Sequence, residues 1–404
     1  MLIALFILTF LESIAGTLLQ RGLYFYTHEN LGFTQNQNLW VAFGFGATYI
    51  VGAFASHALA KRIGERRLLQ ACLLALLTVH SILALFPAAW LLVVGVFATA
   101  IIQGAKWPVV ESYVSAGRPP KQLLPLLSRY NVTWASAGFL AIGFTGAIVG
   151  TGVPSLFFWL PALLNVASAI LALKLPPAPQ HLEHTHPERP HESELHSMRA
   201  LLGSARWSMT GSYALLYVLA PLMPSILAQL ALPVTLATPV ASVLDAVRVI
   251  SFGLLGAFAG WHGKRLPMWL TLAALPAGFL LILLGHSLSL VLLGEVIFGL
   301  AAGFAYTAAL YYALVSENAS VAAGGAHEGL IGLGLGLGPL SGLAGQLLVS
   351  PPGRAGSGLT PFSALAVTTA PVIAICVLGA LRALFRPLSF GGRHEPRPSG
   401  AGQQ

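Results

Sequence analysis

Charged side chains are scarce in this sequence. They make up 8% of the 404 residues, whereas ordinary soluble domains carry about 25%. Hydrophobic residues reach 56% and form many runs of about 20 residues, the length of helix that crosses the hydrocarbon core of a bilayer. This composition excludes an ordinary soluble domain and predicts a polytopic membrane protein.

Cysteines and catalytic motifs are also scarce. Cys72 and Cys376 each lie inside an apolar run, which is typical of inert core thiols and unsuited to a disulfide or metal site. The chain has no Gly-x-x-x-x-Gly-Lys-Ser/Thr loop, so we expect no ATP hydrolysis. We expect no catalytic residues, no cofactor and no metal, because the spans carry no constellation for such chemistry. A net charge of +8 can indicate a nucleic-acid partner, but we expect none here, since the basic residues lie in short loops without interleaved aromatics.

The apolar runs predict twelve membrane-spanning helices. We place them at residues 2–27, 38–60, 68–88, 90–114, 129–150, 155–174, 207–230, 238–260, 267–286, 289–315, 327–349 and 361–383. The first run lacks a basic amino-terminal region and a small-residue cleavage site, and Glu12 interrupts it. We therefore interpret it as an uncleaved span rather than a signal peptide.

A sequence repeat divides the chain into two similar halves. The motif GAFAS at residues 52–56 precedes Lys61 and Arg62, and GAFAG returns 204 positions later, before Lys264 and Arg265. The sequence thus predicts an all-α integral membrane protein of two pseudo-symmetric six-helix bundles, at residues 1–175 and 207–385. Residues 176–206 would form a central linker, and residues 386–404 a disordered tail.

Basic residues lie almost entirely on one side of the predicted spans. Loops on the side of the termini carry 17 of them, and the opposite loops carry only Arg354. The 17 are Lys61, Arg62, Arg66, Arg67, Arg118, Lys121, Arg129, Lys174, Arg189, Arg199, Arg206, Lys264, Arg265, Arg382, Arg386, Arg393 and Arg397. Because cytoplasmic loops are enriched in Lys and Arg, we expect both termini in the cytoplasm of a multi-pass plasma-membrane protein.

The predicted linker is rich in histidine. It contains His181, His184, His186, His191 and His196, interleaved with glutamates and prolines. Neutral imidazoles bind zinc or copper, so a metal-binding tract is one interpretation. We favour a solvated linker, because segments rich in proline and acidic residues remain disordered.

Twelve spans in two halves, a long central loop and a basic turn after the second span resemble the major facilitator superfamily. The signature of that turn in the family is roughly Gly-x-Leu-Ala-Asp-Arg-x-Gly-Arg-Arg. Here Leu59, Ala60, Arg62, Gly64 and Arg66 match it, while Ser56, Lys61 and Glu65 depart from it. The resemblance implies transport by alternating access, with spans one, four, seven and ten around a central cavity. It also makes Lys61, Arg62 and Arg66 candidates for gating.

Seven charged residues fall inside the predicted spans. They are Glu12, Arg21, Lys106, Glu111, Asp245, Arg248 and Glu295. A charge at membrane depth costs several kcal/mol unless it faces a cavity or a partner, so each is a functional candidate. We select Glu12, Glu111 and Asp245 as candidate proton carriers. Arg248, Glu295 and Glu328 are candidates for ion pairing or gating.

Two of these candidates have a plain structural alternative. Asp245 and Arg248 are three residues apart on one helix face, so they form either a static buried ion pair or a switch between conformations. Glu111 is either a helix-end carboxylate or, deeper in the span, the best candidate proton carrier.

Polar and aromatic groups near these charges are suited to an organic solute. The candidate substrate-binding residues are Arg21, Gln103, Lys106, Trp107, Asn131, Trp134, Tyr306 and Tyr311. The 204-residue offset pairs Trp107 with Tyr311, and we expect the two rings to flank the cavity symmetrically.

The sequence therefore predicts a monomeric secondary transporter whose partners are a small molecule and the lipid bilayer. We expect proton coupling, with uptake and efflux both open. A membrane-embedded enzyme and a non-transporting sensor are the alternatives.

Overall fold

Every regular element in the described part of the chain is a helix. The structure, a computed structural model, describes residues 1–115, 117, 120–179, 192–316, 321–349 and 359–385. Its α-helices are α1 (Leu2–Thr17), α2 (Leu23–Leu31), α3 (Gln35–Ile63), α4 (Glu65–Leu85), α5 (Ala89–Ser115), α6 (Pro120–Gly150), α7 (Leu156–Ala172), α8 (Glu192–Leu219), α9 (Met223–Gln229), α10 (Val234–Ala241), α11 (Val243–Ala257), α12 (Leu266–Leu284), α13 (Leu288–Ser316), α14 (Val321–Leu348) and α15 (Pro361–Leu384). Helices are expected, because they pair their own backbone N–H and C=O groups where lipid offers no partner.

Ten helical stretches among the described residues are long and apolar enough to cross a membrane. In this count α1 with α2, and α10 with α11, are each one stretch. Helices α8 and α9 meet at a bend of 55° and form an eleventh if they are one span, and α7 is apolar but 17 residues long. The all-α membrane fold is confirmed, while the number of twelve spans stays a prediction.

The first span contains a wide, π-helical turn. Residues Leu18–Gly22 form this turn between α1 and α2, and Arg21 lies inside it. A π-turn inserts a residue into the helix and rotates the side chains that follow it, and such turns are frequent at functional sites. The span ends at Gly32, whose φ of 64° suits glycine, and α3 begins with a capping box between Thr34 and Gln37.

The span formed by α10 and α11 is interrupted just before its charged residues. Ser242 separates α10 from α11, and its hydroxyl donates to the Pro239 carbonyl at 2.7 Å. Proline lacks an N–H and weakens the helix that contains it, so an interruption here is expected. As a result Asp245 lies in the first turn of α11, where the helix dipole favours a carboxylate.

The two bundles meet along closely packed helices. We refer to α1–α7 as the first half and to α8–α15 as the second, and between them α3 packs along α14 and α6 along α10 and α11. At Gly46 in α3, the backbone of Leu335 and Gly336 leaves no room for a side chain. Such small residues let helices approach in lipid, where no hydrophobic effect drives them together.

Several helices begin earlier than the apolar runs predicted. Helix α6 begins at Pro120 rather than residue 129, and α14 begins at Val321 rather than residue 327. Helix α8 begins at Glu192, so the last part of the predicted linker belongs to a long helix. The reason is that hydropathy marks only the lipid-embedded part of a helix, whereas backbone hydrogen bonding continues into its polar end.

Some predicted features lie outside the described residues. These are the histidine-rich part of the linker at residues 181–191 and the tail at residues 386–404. The exact boundaries of the two halves, at residues 175, 207 and 385, stay predictions.

Candidate functional site

A cavity lies between the two halves, about midway along the spans. Its empty volume is about 710 Å³, counting the gaps between the lining atoms and the open solvent at its mouth. Helices α1, α3, α5 and α6 line it from the first half, and α8, α11, α13 and α14 from the second. The predicted site residues that line it are Arg21, Gln103, Trp107, Trp134, Asp245, Arg248, Tyr306 and Glu328. Charges predicted on distant spans are thus brought to one place.

An ion-pair cluster joins the two halves at this cavity. Arg21 in the first half lies 2.5 Å from Asp245 in the second, measured from Nη1 to Oδ2. Arg248 approaches the other oxygen of Asp245 at 3.5 Å, as the spacing of three residues predicted. We call these three residues the arginine–aspartate cluster. The sequence suggested a pair within one helix, but the shorter contact comes from the opposite half.

The guanidinium group of Arg248 lies among aromatic rings. Its central carbon is 4.6 Å from the ring centroid of Trp134, 5.7 Å from that of Phe252 and 6.0 Å from that of Tyr213. Such contacts stabilise a cation by about 0.5–2 kcal/mol, most where water is excluded. Because Trp134 belongs to α6, this contact also crosses between the halves.

A pair of carboxyl groups forms a second contact between the halves. We call the side on which Gly64 joins α3 to α4 the Gly64 side. Glu111 of α5 and Glu328 of α14 lie toward that side of the protein. One oxygen of each carboxyl group lies within 4.8 Å of the other, and both residues are buried. Two ionised carboxylates this close repel each other strongly at low dielectric, so a proton shared by the pair is favoured.

Tyrosine and histidine side chains surround this acid pair. The Tyr49 hydroxyl donates to Glu328, and the Tyr306 hydroxyl donates to Glu111 at 3.4 Å. His327 is fully buried, with its ring edge-on to Tyr306 at 5.1 Å between centroids. One ring nitrogen of His327 and one oxygen from each carboxyl group lie within 4.8 Å of one another. We interpret the group as a proton site, because a proton on the pair removes the repulsion between the two carboxyl groups.

A third charged cluster is sealed inside the first half. The Lys106 Nζ lies 2.7 Å from Glu12 Oε2, and Asn165 Nδ2 donates to Glu12 Oε1 at 2.9 Å. Asn165 Oδ1 lies 2.8 Å from His80 Nδ1, and His80 Nε2 lies 3.3 Å from the Thr99 hydroxyl. All five side chains are buried, at 1% exposure or less. We call this set the sealed cluster.

Lys106 therefore contacts Glu12 rather than the cavity. The cavity wall at this point is Trp107, whose ring centroid lies 4.4 Å from the Lys106 ammonium and whose Nε1 donates to Gln103 at 2.9 Å. A substrate-binding role for Lys106 has no support in this geometry. The reason is that the carboxylate of Glu12 offers a desolvated ammonium a closer partner than the cavity does.

Tyr311 also lies away from the cavity. Its ring stacks on His262 at 4.5 Å and meets Trp261 at 5.6 Å, both in the connection between α11 and α12. The expected symmetrical pair with Trp107 is therefore wrong in position. Tyr311 is in the last two turns of α13, where the side chain covers the neighbouring connection on the Gly64 side.

The remaining predicted residues have structural surroundings. Asn131 is buried and accepts from Trp134 Nε1 at 3.2 Å, which fixes one wall of the cavity from behind. Glu295 is buried in α13 and makes no ion pair with a described residue, although it interacts at longer range with Arg21. In the signature turn, Arg66 Nη1 donates to the Leu175 carbonyl at 3.0 Å. Lys61 and Arg62 are exposed.

Several cavity residues were missed by the sequence reasoning. They are Gln20, Tyr49, Tyr130, Tyr213 and Tyr217. A tyrosine within an apolar run has no charge to distinguish it from a packing residue or an interfacial anchor. The available signal was the presence of a hydroxyl group at mid-span, which needs a partner when it is buried.

Comparisons with known proteins place this geometry in a family. A family model described as Major Facilitator Superfamily matches residues 1–342. No curated protein matches the sequence. The fold is similar to solved structures of the nucleoside transporter NupG, with a TM-score of 0.66 and 14% identity over 95% of this chain and 98% of that one. It is also similar to a bacterial homologue of the human lysosomal transporter Spinster, with a TM-score of 0.62 and 16% identity over 95% and 94% of the two chains. For the E. coli fucose:proton symporter FucP, the TM-score is 0.59 and the identity 15% over 94% and 97%. The chain belongs to the Major Facilitator Superfamily.

Proposed function

We propose that this protein is a secondary transporter that moves a small organic solute by alternating access and couples its movement to protons. Membership of the family and a cavity shared by both halves support transport over a membrane-embedded enzyme or a sensor. In alternating access the two halves rock about a site near the bilayer midplane, so groups that bridge the halves control the motion. Uptake and efflux both remain compatible with this mechanism.

The observation that carries proton coupling is the close approach of the Glu111 and Glu328 carboxyl groups, which are both buried and have oxygens within 4.8 Å of each other. The two groups meet across the halves, from α5 and α14, and a proton on the pair removes their mutual repulsion. Without that proton, two carboxylates in contact repel each other strongly at low dielectric. Protonation therefore stabilises the closed contact on the Gly64 side, and deprotonation favours its opening.

The described groups that face the acid pair are mostly neutral, so a proton is the charge that neutralises it. From the packed helices these are Tyr49 of α3, Lys106 of α5, Tyr130 of α6, Tyr213 of α8, Tyr306 of α13 and His327 of α14, with Arg206 of α8 near His327. The tyrosines are neutral donors, and Lys106 is in direct contact with Glu12. Each of the other candidate carriers, Glu12 and Asp245, already has a basic partner. The acid pair is accordingly our assignment for the coupling proton.

We further propose that the Gly64 side faces the cytoplasm of the plasma membrane and that the protein acts as a monomer. The excess of basic residues in the loops of that side supports this orientation. Both halves of one chain line the cavity, so a single copy supplies the whole of this site.

Distances between spin labels test the proposal without knowledge of the solute. One label pair, Glu29→Cys with Gln229→Cys, reports on the side opposite Gly64, and Arg67→Cys with Lys264→Cys reports on the Gly64 side. All four positions are exposed, and Cys72 and Cys376 would be replaced by alanine. We expect a rise in pH to lengthen the Arg67–Lys264 distance and shorten the Glu29–Gln229 distance.

The variant Glu111→Gln with Glu328→Gln supplies the control. Two amides can hydrogen-bond but cannot ionise, so both distances should become independent of pH. Distances that stay fixed in the unaltered protein would refute alternating access driven by protons. A pH response that survives the double substitution would place the coupling proton elsewhere.

A further inference from the structure

The arginine–aspartate cluster has one more positive charge than negative charge. Arg21 and Arg248 share Asp245, and both arginines line the cavity. An uncompensated cation at membrane depth is unfavourable unless a counter-charge reaches it. The cavity is the open side of this cluster, so the counter-charge is expected to come from what the cavity binds.

Asp245 is the one carboxylate among the described residues that forms an ion pair with Arg21 or Arg248. Glu12 is paired with Lys106 inside the sealed cluster, and Glu328 lies against Glu111. Glu295 is absent from the cavity lining and acts on Arg21 only at longer range. A solute in the cavity is therefore the source that can bring a second negative charge into direct contact with the two arginines.

The two guanidinium groups also have donors to spare. Each presents five N–H donors, and each contacts a single oxygen of Asp245 through Nη1. The Nε of Arg248 is buried without a hydrogen-bond partner among the described residues. A planar acid group accepts two parallel hydrogen bonds from a guanidinium group, which is the strongest contact these donors can make.

Rings form much of the remaining cavity wall. Trp107, Tyr130 and Trp134 line it from the first half, and Tyr213 and Tyr306 from the second. Aromatic faces prefer to stack on flat, apolar groups, and their hydroxyl and indole N–H groups supply a few directional hydrogen bonds. The wall suits a flat organic ring rather than a branched polyol.

We propose that the cavity binds a small aromatic solute with a single anionic group, whose acid group contacts Arg21 and Arg248, and that this anion travels with one proton. The inference rests on the proposed function and names its substrate class. A single charge follows from the single excess cation, and it disfavours polyanions.

The proton follows from charge balance across the cavity. With one shared proton, the acid pair of Glu111 and Glu328 has a charge of −1, and the arginine–aspartate cluster has a charge of +1; Glu295, buried without an ion pair to a described residue, is counted as protonated. Binding one anion removes the positive excess and leaves the acid pair uncompensated. A second proton on that pair restores neutrality, so the loaded carrier contains one anion and one proton. Transport is then electroneutral.

Ligand binding to the detergent-purified protein tests the anionic class. The probes are benzoate, phenylacetate and indole-3-acetate, each compared with its uncharged amide. We expect at least one acid to raise the melting temperature and its amide to have no effect. Arg248→Gln should weaken that acid at least tenfold, and Arg21→Gln provides a second variant should the first not fold. Arg265→Gln removes an exposed arginine of the same half and should bind as the unaltered protein does.

Uptake by proteoliposomes tests the electroneutral step with whichever acid binds. An imposed pH gradient should drive uptake, and a potassium diffusion potential alone should not. Equal binding of acids and amides, failure of every acid up to millimolar concentration, or uptake driven by the potential would each overturn the inference. None of these results would alter the pH-dependent label distances, so the proposed transport function would be judged separately.

Discussion

The sealed cluster and the arginine–aspartate cluster are both charged groups at membrane depth, yet they are built differently. In the sealed cluster, Glu12 and Lys106 come from one half, and neutral partners such as Asn165 satisfy the remaining hydrogen bonds. In the arginine–aspartate cluster, Arg21 and Asp245 come from different halves and lie beside a cavity. A balanced pair within one bundle can persist while the halves move. If the halves rock as we propose, the cluster between the bundles must break or change partners during that motion.

Removing Glu12 should have the largest effect on stability. Glu12→Gln leaves the Lys106 ammonium buried without its counter-charge, and breaking a buried pair in this way costs about 3–5 kcal/mol. We expect a much lower melting temperature and little folded protein in detergent. Adding Lys106→Met to this variant removes the isolated charge and should restore most of the stability. A melting temperature unchanged by Glu12→Gln would show that the sealed cluster is not what holds the first half together.

Removing Asp245 should give a smaller loss that added anions can repair. Asp245→Asn leaves two guanidinium groups facing the cavity, at a cost of about 1–3 kcal/mol for their unsatisfied donors. If the cavity binds anions as we infer, benzoate should raise the melting temperature of this variant more than that of the unaltered protein. The same anion should not rescue Glu12→Gln, whose site is closed. Equal rescue of both variants would remove the distinction between the clusters.

Two glycine substitutions test how closely α3 must approach α14 at the contact between the halves. A Cβ at Gly46 would collide with the backbone of Leu335 and Gly336, whereas a Cβ at Gly336 has its nearest neighbour at 3.8 Å. Gly46→Ala should therefore hold α3 away from α14 and change the Glu29–Gln229 label distance, and Gly336→Ala should not. Each half should still fold in both variants. Identical distances in the two variants would contradict this account of the α3–α14 contact.

The sequence was sufficient to locate the charged residues of both clusters. In a chain with 8% charged residues, each charge within an apolar run is easy to find. Because a charged side chain is energetically unfavourable in lipid, each of these residues is a candidate for function. The partners were not predictable in the same way. Lys106 and Glu12 are 94 residues apart, and Arg21 and Asp245 are 224 apart, so their contacts depend on how whole helices are rotated and packed.

Local irregularities in the helices add to this limit. Arg21 lies in a π-helical turn, and Asp245 follows an interruption at Ser242, so a regular period of 3.6 residues does not give their directions. The internal repeat shows that the halves are related, but not that equivalent positions face the same space. Tyr311 illustrates the difference, because it packs on His262 while its expected counterpart Trp107 lines the cavity.

The smallest predicted effect separates a tyrosine at the site from one outside it. Tyr306→Phe keeps the ring in the cavity wall and removes only the hydroxyl that donates to Glu111. A hydrogen bond of this kind contributes about 1 kcal/mol, equivalent to roughly fivefold in binding or rate, so pH-driven uptake should fall by about that factor. Tyr311→Phe removes a hydroxyl of the same chemistry at the Gly64 end of the same helix, beside Trp261 and His262, and should leave uptake unchanged. A comparable loss in both variants would mean that the whole of this end of α13, rather than the cavity alone, contributes to transport.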